Sequence, residues 1–553
     1  MTELRSHNYI FGEGGGGIRV LLAAYHWLNT KAMAEGSESV ENYQLVFETM
    51  DAGGEEIGET KSLQELSRQI GTFGDVSEKC PFTFVKLAES VADLAGKTQE
   101  ELRLENGIRL RDILPEWFQN ELLLSEEQLN RDISGGYHRD QTIGCIVVPV
   151  SFACALQTPE DKKHGFGAVI EDVVASNGNW EVRVVMAGTG WGGEGISNLC
   201  THPANLKELC ILRVMEKLKM DPQAAKAYVE KVLKIGVIMT GAAYRYPSKD
   251  SMSLNENIAG LVAGTLESYP DDSAEAVNLF YLLEHDGCPV QASKASNMGI
   301  QYKKSHAIEL VAVAMLEDFF HRTTEQVSKK QCPVIPHYSL PGNGFTNWTS
   351  LGLPGKYREL LSARLRFDTA LFYWVAPQLL VTSRERNAGK LYQSELLHQM
   401  YNERRDSKLK DAINSGEKWD LDEDILKPLQ ALLIRERMFL NFLLEISQTG
   451  KNWETDNPAS GCGTSLFPVE KLEALLKPIN EMSVVRQFGG MTKCCLDEMT
   501  QCPEGPAGTR TEDNIYTTGL TLDRLRKRVC RNRKIRESLT ELLKTVYEVS
   551  SAK

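Results

Sequence analysis

No apolar run in this 553-residue chain approaches the roughly 20 residues that a bilayer-spanning helix needs, so no helical membrane span is expected. The opening "MTELRSHNYIF" lacks the long apolar segment of a secretory signal, and the expectation is a cytoplasmic protein. Positive charge is in deficit. Sixty-two Lys and Arg stand against 75 Asp and Glu, and the formal charge of -13 argues against nucleic-acid binding by the whole surface. The 12 cysteines are scattered and form no CxxC pair, which disfavours a disulfide framework or a zinc ribbon and favours reduced thiols. HExxH and GxSxG are absent, so the sequence offers neither zinc-hydrolase nor serine-hydrolase chemistry.

What is present is the composition of a globular protein, 42% hydrophobic and 25% charged, with length for two to four domains. Apolar, β-prone runs occur at 8–11, 43–48, 142–152, 180–187, 234–241 and 276–284. Helical patterns occupy 18–28, 82–94, 205–219, 222–233 and 305–320. Near-continuous apolar strands separated by helices predict an α/β fold, mainly a parallel sheet with helices on both faces. The stretch 331–355, rich in Pro and Gly, reads as a linker or irregular crossing. A mostly helical C-terminal region follows over 356–553, with helices expected at 356–381, 390–405, 423–447 and 468–479. Its last helix, about 521–548, is basic between Arg524 and Arg536, the one place where an acidic partner or nucleic acid could dock.

Two glycine clusters stand out. In "NYIFGEGGGGIRVLLAAYHWL" (8–28), five of the six residues from Gly12 to Gly17 are glycine, between a strand and a helix. Bare backbone there lets N–H groups point at an anion, and the helix N-terminus adds its positive dipole end. The spacing Gly12-x-Gly14-x-x-Gly17 also satisfies the dinucleotide pattern GxGxxG. A second cluster, "VRVVMAGTGWGGEGISNL" (182–199), repeats the arrangement with Gly188, Gly190, Gly192, Gly193 and Gly195. A dinucleotide fold needs only one such turn; two could enclose a triphosphate. Either cluster could also be a tight strand-to-helix turn.

"FGEGGGGIR" resembles the first phosphate loop of the tubulin/FtsZ family, and "GTGWGGEGIS" resembles that family's glycine-rich signature. The second match is closest to the form in prokaryotic tubulin-like proteins. "LVFETMDAGG" (45–54), "IGVIMTGAAYRYP" (235–247) and "FYLLEHDG" followed by "KKSHAIELVAVAMLEDFF" resemble further family segments, in the family's order, over residues 8 to 320.

The resemblance implies a nucleotide-binding domain over 1–250, then a central helix and second domain over 251–330. It implies GTP or GDP with magnesium, self-association head to tail, and slow GTP hydrolysis completed between subunits. Gly14, Gly15, Gly16 and Gly17 would hold one part of the phosphate chain, and Gly188, Gly190, Gly192, Gly193 and Gly195 the other. Thr189 and Ser197 would add hydroxyls, Asp51 would reach the ribose or a magnesium-bound water, and Asn255 or Asn257 would meet the base. Asp271 and Asp272 stand where acidic residues would orient water in the neighbouring subunit's site. Glu194 departs from the family, which has Thr there: a carboxylate beside phosphates repels them unless a cation intervenes, which leaves magnesium coordination, a different ligand or a decayed nucleotide site. Cytoskeletal, segregation and defence roles all fit. The rivals are a dinucleotide enzyme with Glu48 or Asp51 near the ribose, and a nucleotide-free scaffold that binds partners through its helical half.

Overall fold

A computed structural model of the chain describes residues 5–35, 37–49, 82–86, 108–114, 116, 119, 124–133, 143–144, 146–147, 165–189, 193–240, 244–245, 276–285, 290–291, 307–328, 337–340, 438–440 and 442–443. Its centre is a sheet of seven strands: β1 (Ser6–Glu13), β2 (Tyr43–Thr49), β3 (Phe82–Lys86), β4 (Glu181–Thr189), β5 (Leu233–Thr240), β7 (Leu279–His285) and β9 (His337–Leu340). Two further strands, β6 (Tyr244–Arg245) and β8 (Val290–Gln291), pair only with each other. The sheet order is β3-β2-β1-β4-β5-β7-β9, and every pairing in it is parallel. β4 and β5 are buried along their whole length, as continuous apolar runs in a sheet covered on both faces should be.

Alternation along β1 assigns the two faces. Tyr9 and Phe11 join a core with helices α2 (Gly165–Ser176), α3 (Gly193–Leu218) and α4 (Pro222–Val232). Phe11 stacks on Phe166, ring centroids 4.3 Å apart. The other face carries α1 (Gly14–Glu35) and α5 (Ala307–His321), which pack on each other and on the central strands; a single turn, α6 (Thr324–Ser328), follows. α4 begins cleanly because Asp221 caps it, its carboxylate accepting from the Ala224 amide at 2.8 Å, with Pro222 at the first helical position. Residues 438–440 and 442–443 are helical, within the predicted 423–447 helix. Phe439 and Phe442 there lie against the His26 ring of α1, which is why α1 is buried on more than one side.

The structure corrects two expectations. Residues 82–86, read as the start of a helix, form β3 and pair with β2, because the alternating "FTFVK" finds an open sheet edge. In the run 142–152, read as a strand, residues 143–144 and 146–147 are helical. Ile143 and Val147, four apart, are both fully buried, so burial on one helical face overrides the β-propensity of the run. The stretch read as a crossing contributes β9, the last strand of the sheet.

Parallel strands with antiparallel helices give the sheet two electrostatically different ends. Helix C-termini meet the amino ends of the strands, where buried basic groups donate to their carbonyls. Arg183 donates from Nη1 to the carbonyls of Phe319, Phe320 and Arg322 at the end of α5, at 3.1, 3.0 and 2.7 Å. Its Nε and Nη2 bind Glu181. Beside it Lys234 donates to the Glu230 carbonyl at the end of α4. Burial is the main force holding the Lys234 ammonium below the usual lysine range. At neutral pH that buried charge opposes folding, and the opposition fades as pH rises from the lowered folded value towards the ordinary 10.5. Against the Lys234→Met variant, the wild type should therefore gain relative stability between pH 7 and pH 10, read by urea unfolding at both. A difference that does not change with pH would show that Lys234 is not desolvated.

Candidate functional site

Helix N-termini gather at the opposite end, where the strands finish. β1 and β4 lie side by side at the sheet's centre, and the chain leaves β1 toward β2 but leaves β4 toward β5. Open α/β sheets bind ligands at such a reversal, outside the carboxyl ends of the strands. Here both predicted glycine clusters sit at it, with Glu13 and Gly188 in register across the two strands.

The first cluster is not a loop before a helix; Gly14 to Gly17 form the first turn of α1 itself. Their glycine identity has two separate causes. A Cβ on Gly17 would lie 2.5 Å from both the Ala187 carbonyl oxygen and the Gly12 carbonyl carbon, and one on Gly16 would strike the Thr189 methyl. A Cβ on Gly195 would lie 2.9 Å from the Thr189 carbonyl oxygen. At these positions glycine lets the two strand-to-helix junctions pack against each other. Gly14 differs: its φ is +63°, a left-handed conformation, and its vacant Cβ position lies 3.1 Å from the amide nitrogen of Gly195. Gly15 is the only one of the four that is not buried. The starts of α1 and α3 thus adjoin, and Gly15 is the position of the first cluster left partly open.

Among the other predicted residues, Thr189 ends β4 with its methyl turned onto Gly16. Ser197 is fully buried in α3. Thr240 Oγ1 donates to the Gly188 carbonyl at 3.2 Å, tying β5 to the second junction. Glu194, in the first turn of α3, is half-buried, with Oε2 3.6 Å from the vacant Gly14 Cβ position. Gly193 begins α3. Asp51, Gly190, Gly192, Asn255, Asn257, Asp271 and Asp272 lie outside the described residues.

Protein families, curated proteins and solved structures were compared with the chain, and none matches. The site has to be read from its own chemistry.

That chemistry includes three residues that the sequence reading passed over. Glu13, fully buried at the end of β1, accepts from Asn198 Nδ2 at 2.7 Å and lies 3.2 Å from His202 Nδ1. Asn198 and His202 are also fully buried, and the Phe166 ring meets the imidazole edge-on at 4.8 Å. The group binds the end of β1 to α3, and so fixes one glycine junction relative to the other. Its signal was available: an acidic residue inside a glycine run, and Asn and His four apart on one helix face.

Backbone donors from two helix starts with an adjacent carboxylate suit a phosphate chain and its magnesium. Among the described residues no cluster of three His, Cys, Asp or Glu could hold a metal alone. Magnesium does not require one, since it commonly binds through one or two carboxylates, substrate phosphates and water. No helix among the described residues is long and apolar enough to cross a membrane.

Proposed function

We propose that the chain is a tubulin/FtsZ-like nucleotide-binding protein that takes GTP or GDP with magnesium where α1 and α3 begin. The observation that supports this reading is the packing of the two junctions, with the Gly195 amide nitrogen 3.1 Å from the vacant Gly14 Cβ position, so that the starts of α1 and α3 adjoin. Amides at Gly14 and Gly15 would hold one end of the phosphate chain and those opening α3 the other, with Glu194 on hand for the cation. The Glu13–Asn198–His202 group keeps the two halves in register, so that the donors need not reorganise when a ligand arrives. On this reading the subunits associate head to tail, Asp271 and Asp272 orient water for slow GTP hydrolysis in the neighbour, and the helical C-terminal region takes up lateral or partner contacts. A cytoplasmic cytoskeletal, segregation or defence role follows from that behaviour.

Ligand-linked stability tests it. With magnesium and GTP at about 100 times the dissociation constant, stabilisation of about 2.7 kcal/mol is expected, seen as a Tm rise of several degrees. Equal melting with and without nucleotide would remove the reading and favour a nucleotide-free scaffold.

A second reading has an observation of its own. The order β3-β2-β1-β4-β5 is that of a dinucleotide-binding sheet, and Gly17 performs the close helix-to-strand packing expected of the third glycine of GxGxxG. In that case NAD or FAD, rather than a guanine nucleotide, would be released on denaturing the purified protein and identified by mass spectrometry.

A further inference from the structure

We infer that the helical segment carrying Phe439 and Phe442 is a separable cover over α1, one that opens while the sheet beneath stays folded. The inference goes beyond the nucleotide reading and does not depend on it.

Every residue of α1 from Gly16 to Lys31 is buried. A helix lying on a sheet ordinarily buries one stripe and leaves the opposite one to solvent. Leu21 marks the sheet side, with Cδ1 2.6 Å from the vacant Cβ position of Gly12 in β1, and Tyr25 and Leu28 share that side by helical spacing. Lys31 turns toward α5, where Glu317 Oε2 is 3.4 Å away. Arg19, Ala23, His26 and Thr30, spaced by four, three and four, make the stripe opposite the sheet. Three of these four are polar, as on a solvated helix face, yet all four are buried. The ring contacts identify a cover: the Phe439 and Phe442 centroids lie 5.5 and 4.8 Å from that of His26.

The two sides of this contact are unequal. Undocking returns Arg19, His26 and Thr30 to water, where such groups are readily solvated, and the stripe holds no large apolar side chain that would be stranded. Leu21, Tyr25 and Leu28 stay against the sheet. Contacts of this polarity between parts of one chain are the kind that separate, so a local opening well below global unfolding follows. Phe439 and Phe442 lose burial on opening, which keeps the cover closed at rest. When open, these two rings, three residues apart on one helix face, become an apolar anchor pair for a partner groove.

Carbethoxylation of His26 in the full-length protein, read by peptide mass spectrometry, measures the opening, with the exposed His321 as internal reference. Hydrogen exchange of the β4 and β5 amides, run alongside, reports the sheet. In the wild type His26 should react far more slowly than His321, yet its protection factor should lie at least about tenfold below that of the β4 and β5 amides. Phe439→Ala combined with Phe442→Ala should speed His26 modification on the order of a hundredfold or more, with strand protection kept. Phe442→Ala alone should give a rise on the order of tenfold, and serves if the double variant is insoluble. His26 reached only as fast as the strands exchange, or His26 and strand protection lost together in the variants, would overturn the inference, because the segment would then be a fixed wall of the core. Unchanged His26 modification in folded variants would overturn it equally, by showing that something else covers this face of α1.

Discussion

Gly17→Ala should leave no stably folded protein. The added methyl carbon would sit 2.5 Å from the Ala187 carbonyl oxygen and 2.5 Å from the Gly12 carbonyl carbon, far inside any real contact. Both are backbone atoms in the two central strands, so neither can swing away as a side chain would. Relief requires α1 to lift from β1, or β1 to part from β4 in the middle of the sheet. Overpacking ordinarily costs about 1–3 kcal/mol, and a clash that only backbone movement relieves should exceed about 4 kcal/mol, a large share of a domain's stability. The expected result is loss of soluble protein or of its cooperative melt. Gly178→Ala is the control: unlike Gly17 that glycine has a positive φ, +79°, but the nearest atom to its Cβ position is Lys231 Nζ at 3.8 Å. It should lose only about 1–2 kcal/mol, the backbone strain alone. If Gly17→Ala costs no more than that control, about 1–2 kcal/mol, then α1 does not sit on β1 as described.

His202→Leu has the second largest expected effect, a loss of about 3–5 kcal/mol. Glu13 and His202 are 3.2 Å apart with both side chains wholly out of solvent, and removing the imidazole leaves a buried carboxylate held by Asn198 alone. Glu13→Leu should be similarly damaging, because it strands the histidine and the amide. The double variant should lose clearly less than the sum, since replacing both partners by apolar groups removes the uncompensated charge. Urea unfolding of the four proteins gives the coupling directly. Strict additivity would mean that the pair is not a unit. Because the group ties β1 to α3, the single variants should also weaken nucleotide binding beyond what their lost stability explains.

The parts of this fold that were legible are those where one residue pattern has one physical outcome. The runs 180–187 and 234–241 are too continuously apolar for a half-exposed strand, and they became the buried β4 and β5. The glycine clusters announced strand-to-helix junctions, and both stand where two adjacent strands end. Where two outcomes compete, local pattern was not enough. "FTFVK" precedes strong helix formers, and only the free edge of β2 decides for strand. "TIGCIVV" has strong β-propensity, yet Ile143 and Val147 are buried at helical spacing. The sequence could say that glycines were needed, but not that Gly16 and Gly17 serve packing while Gly14 serves a left-handed turn. That distinction depends on Thr189 and Ala187, about 170 residues along the chain and adjacent only after the sheet assembles. Glu13 went unread for the same reason: its partners Asn198 and His202 come from the other junction.

The central claim is that both junctions hold one ligand together. Hydrogen–deuterium exchange with and without a slowly hydrolysed GTP analogue and magnesium tests it most directly. Protection of amides in both segments, 12–19 and 188–199, at the same ligand concentration is the predicted result. Protection confined to the first segment, or absent from both, would contradict it.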